Sequence, residues 1–407
     1  MDLIELPVSE LFVGMSLRFT LRDRSGSLLL AKGQKIDTSQ QLEGIKSRQH
    51  VFVELDRTDE GVRAVMTSFT ALNRADAPIK DFSRFFNVQR PSVPAMKPDG
   101  SLLLDWGDVE SKLGGLLASV ASTPDFPDRL QALAASVDRL LTQDSAGSQL
   151  VLFNRAVTHF GGYSVLHALL CAVVAHALSE VFALSAQQRQ SLVCAALSMN
   201  VAMTSVQNEL ALQKFEPSPS QRRVIDAHAV QGKQMLEQAG VTDRDWLTMV
   251  ALHHTPLGAS TSDSLSDWPV EKRMVKILQT VDRYTAAMSP RKSRSGRTAR
   301  DSVRAVVMPD GGTQHDVVGA ALMRVFGLCP PGTFVKLANG ETAVVMRRGA
   351  KAAAPWVASV LNRLDQPVAE PSLRDTSREG YAVQSTLVAT AVRVTLNMET
   401  LLRLMPK

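Results

Sequence analysis

Apolar residues recur at helical spacing through the middle of the chain and alternate with polar ones only towards its two ends. Leu130, Leu133, Val137, Leu140 and Leu141 lie three and four apart, which marks one buried helix face, and helical patterning begins near Trp106. Residues 165–184 are apolar on nearly every side, so that helix belongs at the centre of a bundle. Residues 187–203 follow, with Leu192, Ala195, Ala196 and Met199 on one stripe. The helix expected over 219–239 has Ser218 to cap it, proline just inside and Gly240 just past its end. The next, over 242–254, opens with Thr242 and Asp245 at capping-box spacing. Residues 269–288 carry Met274, Ile277, Leu278 and Val281 on one face, and a last helix is expected over 315–326.

At the ends the period changes to two. Residues 15–21 alternate, Asp23 to Gly26 supply turn chemistry, 28–33 form a second run, a short helix fits 38–47, and a strand restarts at Val51. Beyond the break at Cys329-Pro330-Pro331-Gly332, two alternating runs flank Asn339-Gly340, a strong β-hairpin signal. Residues 74–104 and 366–380 are polar and proline-containing and read as linkers, and a short strand at 392–396 and a helical end at 398–405 close the chain. The expected fold is mainly α. It comprises a β-rich accessory domain over 1–73, a linker over 74–104, a helical bundle over 105–328, a β-hairpin extension over 329–365, and a linker with a terminal strand and helix over 366–407.

Composition narrows the class. With 407 residues, 45% hydrophobic and 21% charged, the chain can bury more than one core and is not a disordered polymer. Its start lacks a basic stretch followed by an apolar run, so no signal peptide is expected. His167, His176 and Glu180 within residues 165–184 fit a core helix better than a membrane span. Cys171, Cys194 and Cys329 form no CxxC and read as small core residues in a reducing compartment, so a cytoplasmic location is expected. The net charge of +5 is local: residues 289–304 hold six bases against one acid, which accounts for the whole excess. That run could be a phosphate-binding loop, a nucleic-acid contact or a solvated loop; its lack of aromatics argues against base stacking.

Candidate chemistry gathers around His253-His254. His254 shares a face with Leu247 and Val250, and His253 lines the neighbouring face with Trp246 and Met249. His228 lies on the Ile225–Gly232–Met235 face of the preceding helix, and Asp282 on the Val275–Leu278–Thr285 face of the following one. Singly, each has an ordinary role: a histidine at a helix C-terminus favours the dipole, and a core aspartate can accept from a backbone group. As an ordered set they read as a metal site or the remains of one, suited to zinc, iron or manganese. His176 reads as a satisfied core histidine.

With these features in this order, the chain resembles the HD-GYP branch of the HD phosphohydrolase superfamily, bacterial helical domains that hydrolyse cyclic di-GMP at a two- or three-metal centre. The similarity covers about residues 163–348. Tyr163 to His167 looks like the family's opening histidine helix, His228 and His253-His254 match ligand histidines, and Val281-Asp282-Arg283-Tyr284 looks like the segment with the final ligand aspartate. Arg291 and Arg294 match two arginines that contact substrate phosphates; Gly14-Met15 with Gly33, and the segment from Gly327, resemble the accessory modules that flank the domain. The chain also departs from the pattern. The family's His-Asp-x-Gly-Lys falls on Ser198-Met199-Asn200-Val201-Ala202, the glutamate after the histidine pair is Thr255, and no Gly-Tyr-Pro follows.

The resemblance therefore implies a degenerate centre. Without the bridging pair there is no two-metal clamp on the attacking and leaving oxygens, and each lost decade of rate is about 1.4 kcal/mol of barrier. The expected function is that of a catalytically inactive regulatory or scaffold protein in cyclic di-GMP signalling, acting on a signalling protein partner or sensing the nucleotide through Arg291 and Arg294. No cofactor is expected beyond at most one divalent metal (Fe, Mn or Zn) held by His228, His253, His254 and Asp282. The alternatives are a weakly active metal-dependent phosphohydrolase using that metal and, least favoured, nucleic-acid binding through residues 291–304.

Overall fold

The computed structural model describes residues 3–6, 20–23, 28–30, 34, 36, 38–46, 51–54, 101–159, 161–257, 265–293, 296–307 and 316–405. Two compact units divide between Lys97 and Pro98. In the first, strands β1 (Leu3–Leu6), β2 (Thr20–Asp23), β3 (Leu28–Leu30) and β4 (Val51–Glu54) form an antiparallel sheet in the order β1-β4-β2-β3, with helix α1 (Ser39–Lys46) between β3 and β4. Leu21, Leu30, Ile36, Ile45 and Val51 are its buried apolar residues. Most of the strand expected over 15–21, Gly14-Met15, Gly33 and the greater part of the first linker lie outside the described residues.

The second unit opens with α2 (Leu102–Ala118), α3 (Phe126–Gln143) and α4 (Ser145–Thr158), which pack on α5 (Tyr163–Val181). Helix α5 is long and apolar enough for a membrane crossing by composition, yet 78% of that window is buried inside the bundle. The rest of the bundle is α6 (Ala186–Ser198), α7 (Thr204–Leu212), α8 (Pro219–Gln238), α9 (Arg244–Leu252), α10 (Val270–Met288), α11 (Ala299–Val307) and α12 (Val317–Phe326). Local chemistry sets several starts. Ser218 and Gln221 form a reciprocal capping box before α8, Ser185 and Gln188 another before α6, and Gly240 takes a left-handed φ of 92° just past α8. Helix α9 is capped by Asp243, whose Oδ1 accepts from Trp246 N at 3.0 Å, and not by the Thr242–Asp245 pair expected from sequence. Asp243 also accepts from Ser191 Oγ at 2.6 Å, a tertiary bond that spacing within one segment does not reveal.

The C-terminal part is larger than a hairpin. Strands β5 (Phe334–Leu337) and β6 (Thr342–Arg347) pair antiparallel across Asn339-Gly340, with Gly340 at φ 85°. They belong to a five-stranded antiparallel sheet with β7 (Trp356–Leu361), β8 (Pro367–Asp375) and β9 (Val383–Leu387), in the order β8-β7-β6-β5-β9. The expected second linker is thus largely strand β8; its polar residues and prolines suit a sheet edge. Residues 392–396 are irregular instead of a strand, their alternate side chains half-buried against the sheet core, and α13 (Met398–Arg403) follows. Gly332 joins sheet to bundle. At φ 82°, it approaches α4 so closely that a Cβ would stand 2.4 Å from Asn154 N, and Asn154 Nδ2 donates to its carbonyl at 3.0 Å.

Candidate metal centre

Around Gly232, α8 packs on Val201 and on Val250 of α9, with room for no more than an ordinary methyl contact at 3.5 Å. The contact brings His228, one turn earlier on α8, against the end of α9, where His253 is the first residue past the helix and His254 the second. His228 and His253 are each 2% exposed, whereas His254 is exposed. His228 Nδ1–H donates to the Ile225 carbonyl and His253 Nδ1–H to the Val250 carbonyl at 2.7 Å. Those bonds fix both tautomers, leaving each Nε2 with a lone pair, and the two Nε2 atoms are 3.1 Å apart. The His254 ring centroid lies 4.1 Å from that of His253 and 5.0 Å from that of His228.

Two facing lone pairs need a proton or a cation between or beside them. Burial works against the proton, pushing His253 down to about 4 and lowering His228 as well, against the opposing pull of the Asp282 charge on both. A metal ion fits better: with metal–nitrogen bonds of about 2.05 Å, nitrogens 3.1 Å apart subtend about 100°. The donor atoms of all three histidines lie within 4.8 Å of one another.

Asp282 is not the fourth member of that cluster. Its Oδ1 accepts from His167 Nε2–H at 2.9 Å. His167 and Cys171 lie four residues apart on α5, and Cys171 Sγ is 3.6 Å from the same Nε2 and 3.0 Å from Thr285 Oγ1 of α10. Burial alone would lower the His167 pKa, but Cys171 and the Asp282 hydrogen bond hold it well above its ordinary value. Burial would raise Asp282, but the His167 hydrogen bond and the charges of His167, His253 and His254 hold it far below the usual carboxylate range. The sequence reading gave Asp282 to the clustered histidines; the structure assigns it to a neighbouring set with His167 and Cys171. The 167/171 and 282/285 spacings were the signal for that set, passed over because Cys171 reads as core.

The remaining candidates have settled surroundings. Ser198 Oγ accepts from Trp246 Nε1 at 2.8 Å and donates to the Cys194 carbonyl at 2.8 Å, and Met199 is 1% exposed in the main apolar core. Ala202 lies half-buried in a 3₁₀ turn, and Thr255 is exposed, its carbonyl taking a bond from Gln279. Arg291 Nη2 donates to Tyr163 OH at 3.1 Å with its guanidinium 5.0 Å over that ring, and Tyr163 stacks on His167; Arg294 lies outside the described residues. Part of the basic run is helix α11, with Ser302, Val303 and Val306 buried, so it is not simply a solvated loop. His176 Nε2–H donates to Asp138 Oδ1 at 2.8 Å, as in a satisfied core histidine.

No family model matches this chain, nor does any curated protein. Among solved structures it is similar to Bd1817, an HDG"Y"P protein from Bdellovibrio bacteriovorus, at 11% identity and a TM-score of 0.45, over 79% of this chain and 98% of that one.

Proposed function

We propose that this chain acts by binding and not by turnover, as an HD-GYP-like regulatory or scaffold protein of bacterial cyclic di-GMP signalling, with a three-histidine site for one divalent cation. The observation that carries the reading is the filling of positions 198 and 199. In the motif that the sequence resembles, these positions supply a histidine and a bridging aspartate. Here a serine hydroxyl occupied by Trp246 and Cys194 and a methionine sealed in the core stand in their place. A metal bound at His228, His253 and His254 would supply Lewis-acid chemistry at a single centre, without the paired ion that clamps a leaving oxygen. The chain's own contribution is to aim two fixed Nε2 lone pairs at one point.

Purified protein, prepared without chelator, is expected to contain a divalent metal that is lost in His253→Ala, and to hydrolyse neither cyclic di-GMP nor a generic phosphodiester. Clear metal-dependent turnover would overturn this reading in favour of a mononuclear phosphohydrolase, the second reading, which the exposed His254 side of the cluster favours. Calorimetric titration with cyclic di-GMP separates a nucleotide sensor from a scaffold for a protein partner.

A further inference from the structure

Away from both histidine sets, residues of α3, α4, α12 and the end of α5 line a cavity of about 300 Å³, at the lower end of the range for small-molecule sites. His176 on its wall stands roughly two and a half turns past His167 on α5, about 13 Å along the helix axis. The apolar part of the lining is Leu141 of α3, Val181 of α5 and Val325 of α12. Val181 is 42% exposed, so apolar surface stays uncovered at this end of the helix. The polar part is rich in hydrogen-bond acceptors. His176 is 7% exposed, and its bond to Asp138 occupies only Nε2. In the neutral ring Nδ1 then carries a lone pair, and it has no partner among the described residues. Gln149 Nε2 donates to Ser145 Oγ at 3.0 Å, which leaves Gln149 Oε1 as an open acceptor. Glu180, one turn beyond His176, adds an exposed carboxylate. No lysine or arginine among the described residues lines the cavity. Arg189, whose Nε is 3.5 Å from the Asp138 carboxylate, is not on its wall.

We propose that this cavity binds a small organic cation, a primary amine with a short apolar body. An ammonium group carries three N–H donors, and the wall offers three matching acceptors in His176 Nδ1, Gln149 Oε1 and the Glu180 carboxylate. A carboxylate or phosphate ligand would meet the Glu180 charge with no base on the wall to offset it. A metal ion is the poorer occupant. His176 and Glu180 supply two of the four ligands that a tetrahedral ion takes, and neither belongs to a metal-capable group among the described residues. The apolar body of the amine covers Leu141, Val181 and Val325 and removes their surface from water. The Asp138 bond fixes the tautomer that the ligand requires, because a carboxylate oxygen accepts only from an Nε2–H. The site stands or falls independently of the histidine cluster and of whether the chain hydrolyses anything.

Phenethylamine is the probe, with phenethyl alcohol and hydrocinnamate as the neutral and anionic controls of similar size. Ligand-observed NMR titration of the full-length protein is expected to show saturable binding of the amine. The alcohol should bind roughly tenfold more weakly, for want of charge-assisted hydrogen bonds, and the anion not at all. Glu180→Gln should weaken the amine about fivefold, as loss of an exposed ion pair does. Val181→Trp, at an exposed position, should close the cavity and abolish binding with the fold intact. His253→Ala should leave the amine affinity unchanged, which separates this site from any metal at the histidine cluster. No saturable binding of the amine, equal affinity for amine and alcohol, an affinity unchanged in Glu180→Gln, or binding that survives Val181→Trp would each overturn the proposal.

Discussion

His228 Nε2 and His253 Nε2 stand 3.1 Å apart in a buried contact, with the opposite nitrogen of each ring tied to a carbonyl of its own helix three residues back. Neutral rings held this way repel through their lone pairs, so a cation that both nitrogens bind removes a local cost as well as forming bonds. Added zinc or manganese should therefore raise the melting temperature of chelator-treated protein. At a hundredfold excess over Kd the gain is about 2.7 kcal/mol. Thermal unfolding with and without metal checks this, and His253→Ala should flatten the part of the response that belongs to the histidine cluster.

The same burial sets a pH dependence. The unfolded chain protonates His253 near its ordinary 6.5, while the native state resists until about 4. The unfolded state thus binds more protons across that interval, and stability falls as pH drops from about 6.5 to about 4. At about 1.4 kcal/mol per pKa unit, His253 alone is worth on the order of 3 kcal/mol. The His167–Asp282 pair behaves differently. Its raised histidine stabilises fully below 6.5 and loses that contribution as pH rises through the elevated native value, and its depressed aspartate contributes fully above 3.8 and loses that contribution as pH falls from 3.8 towards its lowered native value. Urea unfolding at pH 7 and pH 4.5 should show the loss in the wild type and a smaller one in His253→Gln.

Positions 198 and 199 are now structural. Removing the Ser198 hydroxyl leaves Trp246 Nε1 buried without its acceptor, at a cost of about 1–3 kcal/mol. Restoring a histidine and an aspartate by Ser198→His/Met199→Asp forces a large ring and a carboxylate into sites that are 0% and 1% exposed. That should cost several kcal/mol and restore no hydrolysis. Denaturation midpoints and a phosphodiester assay with added manganese test both halves of this expectation.

Much of the fold was legible because a 3.6-residue period leaves a mark wherever one helix face is buried, as at Leu130–Leu141 and Met274–Val281. Asn339-Gly340 announced its hairpin through the positive φ that such a turn requires. Helices α4, α7 and α11 were missed: two are nine residues long, and α4 begins among serines and a glycine. Strand β8 was hidden by the prolines that suit it to an edge. For the site, spacing placed His228 and His253 on inward faces, whereas His254, expected to face inward as well, is exposed; whether Asp282 would meet His228 or His167 depended on how α10 packs between two partners. That is a tertiary fact with no local signature. Cys171 was passed over because burial and chemistry look alike in an apolar helix.

The His167–Asp282 contact gives the sharpest stability test. The pair is held at 2.9 Å, with the histidine side chain 1% exposed and the aspartate 13%. Breaking it from one side leaves a buried group uncompensated, so Asp282→Ala should destabilise metal-free protein by about 3–5 kcal/mol. Asp282→Asn keeps a neutral acceptor oxygen for His167 Nε2–H and should cost less. Replacing both partners with apolar residues of similar size, as in His167→Met/Asp282→Leu, removes the desolvated charges together and should recover most of the loss. Chemical denaturation of the single and double variants provides the measurement. If the double variant proved no more stable than Asp282→Ala, the pair's role would lie in contacts beyond its own charges.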